Sequence, residues 1–150
     1  MLAKTHLAIT LFFSLLLAPF VQNQFCFIVI SLVATLLPDI DSKFSELGKR
    51  KAFRLIQLFL KHRGILHSLL FLFFIAFLLI LFLPSIALPF FLGYGIHLIT
   101  DSFTVSGIKL FYPLKAVYYG FIKTGAIKET VIFWLFLIAD FIYLTSIIFN

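Results

Sequence analysis

The residues of this chain that could do chemistry are its histidines and half of its acidic side chains, because they lie at the ends of apolar segments. These seven residues are His6, Asp39, Asp41, His62, His67, His97 and Asp101. The set includes all 4 histidines of the chain. Ionisable groups are costly to hold near lipid, and imidazole and carboxylate are common ligands of metal ions. The sequence therefore predicts a metal centre held in a membrane.

The composition of the chain is that of an integral membrane protein. Of its 150 residues, 63% are hydrophobic and only 12% are charged, which is too apolar for a soluble domain of this size. This length is typical of one domain, so we expect residues 1–150 to form a single membrane unit. The one cysteine, Cys26, lies in an apolar run, so the sequence predicts neither a disulfide framework nor a thiolate metal site.

Apolar stretches without period-2 alternation predict five transmembrane helices rather than barrel strands. The stretches run from Leu7 to Val21, Phe25 to Leu37, Ile65 to Leu83, Ser85 to Thr100, and Val131 to Phe149. The second stretch reaches roughly 20 Å, whereas the hydrocarbon core is about 30 Å thick. A thinned bilayer or a water-filled recess would compensate for this difference. The predicted fold is an all-α polytopic helix bundle.

The distribution of positive charge predicts the topology. All 12 Lys and Arg residues fall in the N-terminus, in residues 38–64 or in residues 101–130. By the positive-inside rule these segments are cytoplasmic, so five spans place the N-terminus inside and the C-terminus on the opposite side of the inner membrane. All seven candidate ligands then lie at the cytoplasmic face, where facing helices can build a metal site. The net charge of +6 favours lipid headgroups as partners, and we expect no nucleic acid.

Two further segments are predicted to lie at the cytoplasmic membrane surface. From Lys49 to Lys61, basic and amide side chains recur at helical spacing among apolar residues, which is typical of an interfacial helix. Between Ile108 and Ile127, tyrosines alternate with lysines, as in an aromatic belt at headgroup depth. Glycines in that second segment argue against one long transmembrane helix.

Local spacing predicts how two pairs of candidate ligands are presented. His97 and Asp101 are four residues apart, so on a helix they share one face. Gly64 is predicted to break the chain between His62 and His67, which lets His62 remain in the loop while His67 begins the third helix.

Pro38 is predicted to shape the segment that carries two of the acids. Proline disfavours the α conformation at the preceding residue, so we expect the second helix to end at Leu37. In an extended segment after it, the carboxylates of Asp39 and Asp41 would point the same way.

Five motifs in order resemble those of the membrane-bound metal-dependent hydrolases, a family also described as LexA-binding inner-membrane hydrolases. They are Thr5-His6, Leu37-Pro38-Asp39-Ile40-Asp41, His62-Arg63-Gly64 with His67-Ser68, Gly93-Tyr94 through His97 to Asp101, and Thr104, Gly107 and Tyr112-Pro113. The match spans residues 5–113, and the predicted last helix, residues 131–149, carries no motif. The resemblance implies a small polytopic membrane protein with a hydrolase role. The His-x-x-x-Asp element is also similar to one in zinc-dependent phospholipases C.

The candidate ligands exceed what one metal ion requires. Seven nitrogen and oxygen ligands are more than the three or four that a tetrahedral zinc takes, so two divalent ions are the economical expectation. Imidazole mixed with carboxylate suits Zn, Mn, Fe or Ni. Two ions about 3.5 to 4 Å apart can hold a bridging hydroxide for phosphoester hydrolysis.

Chemical roles follow from the types of the side chains. Arg63 would bind a phosphate as a bidentate donor. Either Asp39 or Asp101 would bridge the ions, and the other acids would bind terminally or accept a proton. The predicted catalytic residues are Asp41, Arg63 and Asp101. Ser68 and Thr104 are predicted to orient carboxylates or imidazoles by hydrogen bonding.

Three functions are compatible with these residues. The leading one is a metal-dependent hydrolase that acts on a phosphoester or related bond of a lipid or membrane-associated substrate at the cytoplasmic face. The alternative is a membrane regulatory or scaffold protein that binds a cytosolic partner and uses the metal only for structure. Transport is disfavoured, because no acid or histidine lies toward the outer side of the first four predicted helices. Asp140, in the last predicted helix, is interpreted as the site of a structural hydrogen bond.

Overall fold

The computed structural model describes residues 1–42, 45, 48, 49, 54 and 63–149, and five α-helices can be traced from end to end within them. The helices are α1 (Ala3–Leu17), α2 (Gln24–Leu36), α3 (Leu69–Phe82), α4 (Pro84–Ser102) and α5 (Ile127–Phe149). Within the described ranges no strand is present beyond two isolated bridges. The predicted all-α helix bundle is therefore confirmed. His62 and most of the predicted surface helix from Lys49 to Lys61 lie outside the described residues.

The apolar helices of the bundle fit a membrane. Three helical stretches among the described residues are long and apolar enough to cross one, namely Ala3–Phe20, Gln24–Asp41 and Ile127–Ile147. A shorter apolar helix covers Leu69–Phe82. The predicted number of five crossings and the predicted orientation stay predictions.

Helix α4 lies at the centre of the bundle and contacts α1, α2 and α3, while α5 packs against α1. The core cluster combines residues of α2, α3 and α4 with one residue of the loop after α4. It consists of Ala34, Leu72, Phe90, Tyr94, Leu98 and Ile108. Helix α4 buries several large apolar side chains against its neighbours. This close packing holds α4 in a fixed orientation.

The segment after α2 differs from the prediction. Leu37 keeps helical torsion angles (φ −63°, ψ −40°), and Pro38–Asp41 form a 3-10 turn rather than an extended segment. The Ile40 N–H donates to the Leu37 carbonyl at 3.1 Å and closes this turn. Proline is accommodated here because it occupies the first position of the turn, where its fixed φ fits and its missing N–H is not needed. Asp39 and Asp41 therefore project in different directions, because a 3-10 turn has about three residues per turn.

The segment before α3 is also more irregular than predicted. The predicted break is present, but the residue with a left-handed backbone is Arg63 (φ 59°) rather than Gly64. His67 lies in a 3-10 turn, Ile65–His67, and α3 begins two residues after it. Ser68 ends the turn and caps α3 by accepting a hydrogen bond from the Phe71 N–H at 3.2 Å.

The connection between α4 and α5 folds back on itself without a long helix, as the glycines predict. Ile108 and Tyr118 form an antiparallel bridge, and Thr104 pairs with Ile122. Gly107 has a φ of +60°, and a Cβ there would lie 2.6 Å from the Tyr118 carbonyl oxygen. Only glycine fits this position, because it combines a left-handed backbone with a close approach of the chain.

The contact between α2 and α4 yields a test of the fold. A Cβ at Gly93 would lie 2.0 Å from the Ser31 carbonyl oxygen, so Gly93→Ala must push the two helices apart. We expect this substitution to cost about 1–3 kcal/mol of stability, measured as a lower midpoint of thermal unfolding in detergent. Gly95→Ala is the matched control, because its Cβ would meet Leu72 Cδ2 at an ordinary 3.7 Å. Equal midpoints for the two variants would contradict this packing.

Candidate metal centre

Five side chains of metal-ligand type meet at one end of the bundle. They are His6 of α1, Asp39 of the Pro38–Asp41 turn, His67 of the Ile65–His67 turn, and His97 and Asp101 of α4. The three histidines and Asp101 are each at most 2% exposed. Asp39 is partly exposed, which leaves the cluster accessible from one side.

His97 is the central member of the cluster. Two groups could each hold an ion, one formed by His6, His97 and Asp101 and the other by Asp39, His67 and His97. The Nε2 atom of His97 lies 3.8 Å from Asp39 Oδ1 and 3.7 Å from Asp101 Oδ2. These separations are too long for hydrogen bonds. They are close to the spacing of about 3.4 Å between two ligands of one tetrahedral ion with bonds of about 2.1 Å.

One ring nitrogen of His67 faces the carboxylates of Asp39 and Asp101, and the other faces the carboxylate of Asp41. Its Nε2 lies 3.9 Å from both Asp39 Oδ1 and Asp101 Oδ2, whereas its Nδ1 lies 3.3 Å from Asp41 Oδ2. The same oxygen of Asp41 accepts the Arg63 N–H at 3.1 Å. Asp41 is predicted as a ligand and a catalytic residue, but the structure places it on the far side of His67. A carboxylate in this position orients a metal-binding imidazole.

A backbone carbonyl fixes the tautomer of His97. Its Nδ1 lies 2.7 Å from the carbonyl oxygen of Thr35. A carbonyl can only accept a hydrogen bond, so Nδ1 carries the proton. In the neutral ring, Nε2 then presents a lone pair to the carboxylates of Asp39 and Asp101.

His6 faces a threonine hydroxyl with one ring nitrogen and Asp101 with the other. Thr100 Oγ1 lies 2.7 Å from His6 Nδ1 and is also within hydrogen-bond distance of the Ile96 and His97 carbonyls, at 2.8 and 3.0 Å. The hydroxyl has one proton for these three acceptors, so both tautomers of His6 are compatible with the contact. His6 Nε2 lies 3.3 Å from Asp101 Oδ1.

Thr35 and Thr100 belong to the site, but the sequence reasoning missed both. Hydroxyl residues are ordinary in apolar helices and give no signal alone. The three-residue spacing between His97 and Thr100 could have placed Thr100 on the ligand-bearing face of α4. Nothing in the sequence relates Thr35 to His97.

The donor set fits a divalent cation. The lone pair of His97 Nε2 faces carboxylate oxygens of Asp39 and Asp101, which is repulsive unless a cation lies between them. The Nε2 atoms of His6 and His97 have no hydrogen-bond partner among the described residues. The two imidazole rings stack with centroids 4.1 Å apart, so protonating both would place two positive charges in contact. A shared metal ion removes both conflicts.

A cavity of about 630 Å³ adjoins this cluster. Its wall includes Leu2, Leu7, Arg63 and the two acids Asp39 and Asp101. Arg63 Nη1 donates to the Gly107 carbonyl at 2.9 Å, and Nη2 lies 3.9 Å from Asp101 Oδ2. The Met1 amino group also contacts Asp101, so this carboxylate attracts cations. The ligand cluster is therefore open to small molecules.

The two predicted orienting hydroxyls bind backbone instead of ligand atoms. Ser68 Oγ donates to the Ile65 carbonyl at 2.6 Å, and Thr104 Oγ1 donates to the Asp101 carbonyl at 2.7 Å. They support the turn that carries His67 and the end of the helix that carries Asp101.

Metal retention tests the place of Asp41 in this arrangement. We expect Asp41→Asn to lower metal affinity about 10- to 100-fold, because it weakens the partner that orients His67. Asp101→Asn should lower the affinity further, because it alters a ligand. The measurement is bound metal by mass spectrometry after dialysis against a graded chelator.

Asp140→Asn is the matched control for this experiment. Asp140 is 2% exposed on α5, and neither of its carboxylate oxygens has a hydrogen-bond partner among the residues described, so the structural bond predicted for it is not seen there. It should retain metal like the wild type. An Asp41→Asn protein that also retains wild-type metal would argue against a role for Asp41.

Comparison with known proteins identifies the family. Residues 1–149 match the family described as YdjM inner membrane protein. The uncharacterized protein YvsG of Bacillus subtilis (strain 168) is 31% identical over 106 residues, which cover 67% of this chain and 66% of that protein. The match thus spans slightly less than two thirds of this relative. No solved structure matches the chain. Because the family match covers nearly every residue, the chain belongs to the YdjM inner membrane protein family.

Proposed function

We propose that this protein is a metal-dependent hydrolase that cleaves a phosphoester or related bond of a membrane-associated substrate at the cytoplasmic face. The observation that carries the proposal is the lone pair on His97 Nε2, which faces carboxylate oxygens of Asp39 and Asp101 at 3.8 and 3.7 Å. Buried ligands aligned in this way favour a bound divalent ion. The adjoining cavity favours catalysis over structure, because a catalytic metal needs a coordination position that water or substrate can reach.

The ligands of the proposed centre are the five converging side chains. They are His6, Asp39, His67, His97 and Asp101. This mixture suits Zn, Mn or Fe, which when bound supplies Lewis acidity and an acidified water. His97 belongs to both three-residue groups but has only one lone pair to offer, so it can bind one ion. The ligand set is therefore sufficient for one ion. The two predicted ions would require a carboxylate that bridges them. Metal stoichiometry of the purified protein decides between these numbers.

The residues that face the cavity have distinct proposed roles. The Asp39 side chain is 18% exposed, so it is the carboxylate best placed to accept a proton from an attacking water. Arg63 stabilises negative charge on the substrate. Asp101 holds its position through α4 and Thr104, and Asp41 keeps His67 oriented.

Hydrolysis of lipid phosphoesters by purified protein in nanodiscs tests the proposal. We expect metal-dependent release of product, reduced about 100-fold or more in His97→Ala and Asp39→Asn, because each loses a ligand or the proposed base. Asp140→Asn should keep wild-type activity, since its carboxylate lies on α5 outside the cluster. A protein without stoichiometric metal, or activity that survives both substitutions, would exclude this centre as the source.

The regulatory or scaffold alternative gives a different pattern in the same experiment. A purely structural metal would be retained without turnover of any phosphoester. Loss of a ligand would then lower the unfolding midpoint and leave no catalytic difference between variants.

A further inference from the structure

The cavity beside the metal centre is lined by two cationic side chains, Arg63 and Lys4, that are not among the proposed metal ligands. We infer that it binds a phosphate monoester group, which names the substrate class of the proposed hydrolase and in that sense rests on the proposed function. The reaction would join water to the phosphorus and break the bond to the alcohol oxygen. Orthophosphate and the free alcohol would leave, and the proton from water would end on that oxygen.

One edge of the Arg63 guanidinium makes no hydrogen bond to the described residues. Nη1 is anchored by the Gly107 carbonyl at 2.9 Å. Nη2 lies 3.9 Å from Asp101, beyond hydrogen-bond distance, and Nε is buried without a hydrogen-bond partner among the described residues. Nε and Nη2 together form the edge that binds two oxygens of one phosphate. A buried guanidinium N–H without an acceptor, here that of Nε, is unusual enough to indicate a ligand.

Lys4 supplies a second positive charge at the same cavity. It lies in the cavity wall, and its Nζ is 4.8 Å above the Phe133 ring. The flexible side chain can extend its ammonium toward a bound anion. A phosphate monoester carries about −1.5 to −2 charges at neutral pH, which matches one guanidinium and one ammonium.

The number of donors discriminates between ester types. The free edge of Arg63 pairs with two non-bridging oxygens, and the Lys4 ammonium pairs with a third. A monoester has three such oxygens, whereas a diester has two and one negative charge. The site should therefore prefer monoesters.

The other wall of the cavity suggests what the alcohol part contacts. Leu2, Ala3 and Leu7 line it, and the stretch Ala3–Phe20, which begins with α1, is long and apolar enough to cross a membrane. An apolar wall beside a cationic one fits an amphiphile, although a soluble monoester shares the same headgroup chemistry. The experiment separates these two sources.

Calorimetric titration of the full chain in phosphatidylcholine nanodiscs tests the inference. The probes are short-chain phosphatidic acid, its methyl diester phosphatidylmethanol, which differs by one esterified oxygen, and soluble glycerol 3-phosphate. We expect phosphatidic acid to bind about tenfold or more tightly than phosphatidylmethanol, because one charge-assisted bond is lost in the diester. Tighter binding of glycerol 3-phosphate than of phosphatidic acid would assign the site to soluble monoesters.

Variants connect this preference to the two cations. Arg63→Gln should remove the preference while metal content stays at the wild-type level. Lys4→Gln, an exposed position that should not disturb folding, should weaken phosphatidic acid binding several-fold. Lys128→Gln is the charge-matched control, because Lys128 lies over Phe121 and outside the cavity wall.

The outcomes separate this inference from the hydrolase proposal. Equal binding of the two lipids by the wild type, or a preference that persists in both Arg63→Gln and Lys4→Gln, would overturn the monoester site. A monoester preference without turnover would overturn only the hydrolase. Turnover of phosphatidylmethanol at the rate of phosphatidic acid would overturn only the monoester inference.

Discussion

The hydrogen bond between His97 Nδ1 and the Thr35 carbonyl, at 2.7 Å, is the contact on which the site depends. It joins α4 to α2 and decides which nitrogen of His97 carries the proton. The lone pair on the other nitrogen, Nε2, then faces the centre of the cluster. With the proton on Nε2 instead, the cluster would be a set of hydrogen-bonded side chains. A backbone acceptor is well suited to this task, because it cannot donate and so cannot invert the tautomer.

This contact forms only because α2 and α4 approach closely. Gly93 lets the Ser31 carbonyl lie where a larger residue would place its Cβ, one turn before His97 on the same helix. The Thr10 hydroxyl also donates to Thr35 Oγ1 at 2.9 Å, so α1 is bound to the residue that positions His97. Small and hydroxylic residues commonly make such interfaces between apolar helices. Packing in the apolar part of the bundle thus sets the geometry of its polar end.

The sequence predicts the helices, their order and the convergence of His6, His67, His97 and Asp101, because long apolar runs and ligand types are visible without coordinates. It fails where three-dimensional contacts overrule local preference. Pro38 predicts an extended segment, but the Leu37 carbonyl closes a 3-10 turn that separates Asp39 from Asp41. Asp41 is of a residue type that binds metal ions. Only its contact with Nδ1 of His67 shows that it lies on the far side of that ring, away from the converging ligands.

The burial of the cluster links its chemistry to its stability. Removing imidazoles and carboxylates from water costs several kcal/mol per charged group unless a partner compensates. Here the lone pair of His97 Nε2 supplies no such compensation to the facing carboxylates, whereas a divalent ion would attract every member of the set. Metal binding would then contribute to folding as well as to catalysis, because the ligands come from α1, α4 and the turns beside α2 and α3 and meet only in the folded bundle. An ion bound in this way would hold together the same elements that form the wall of the substrate cavity.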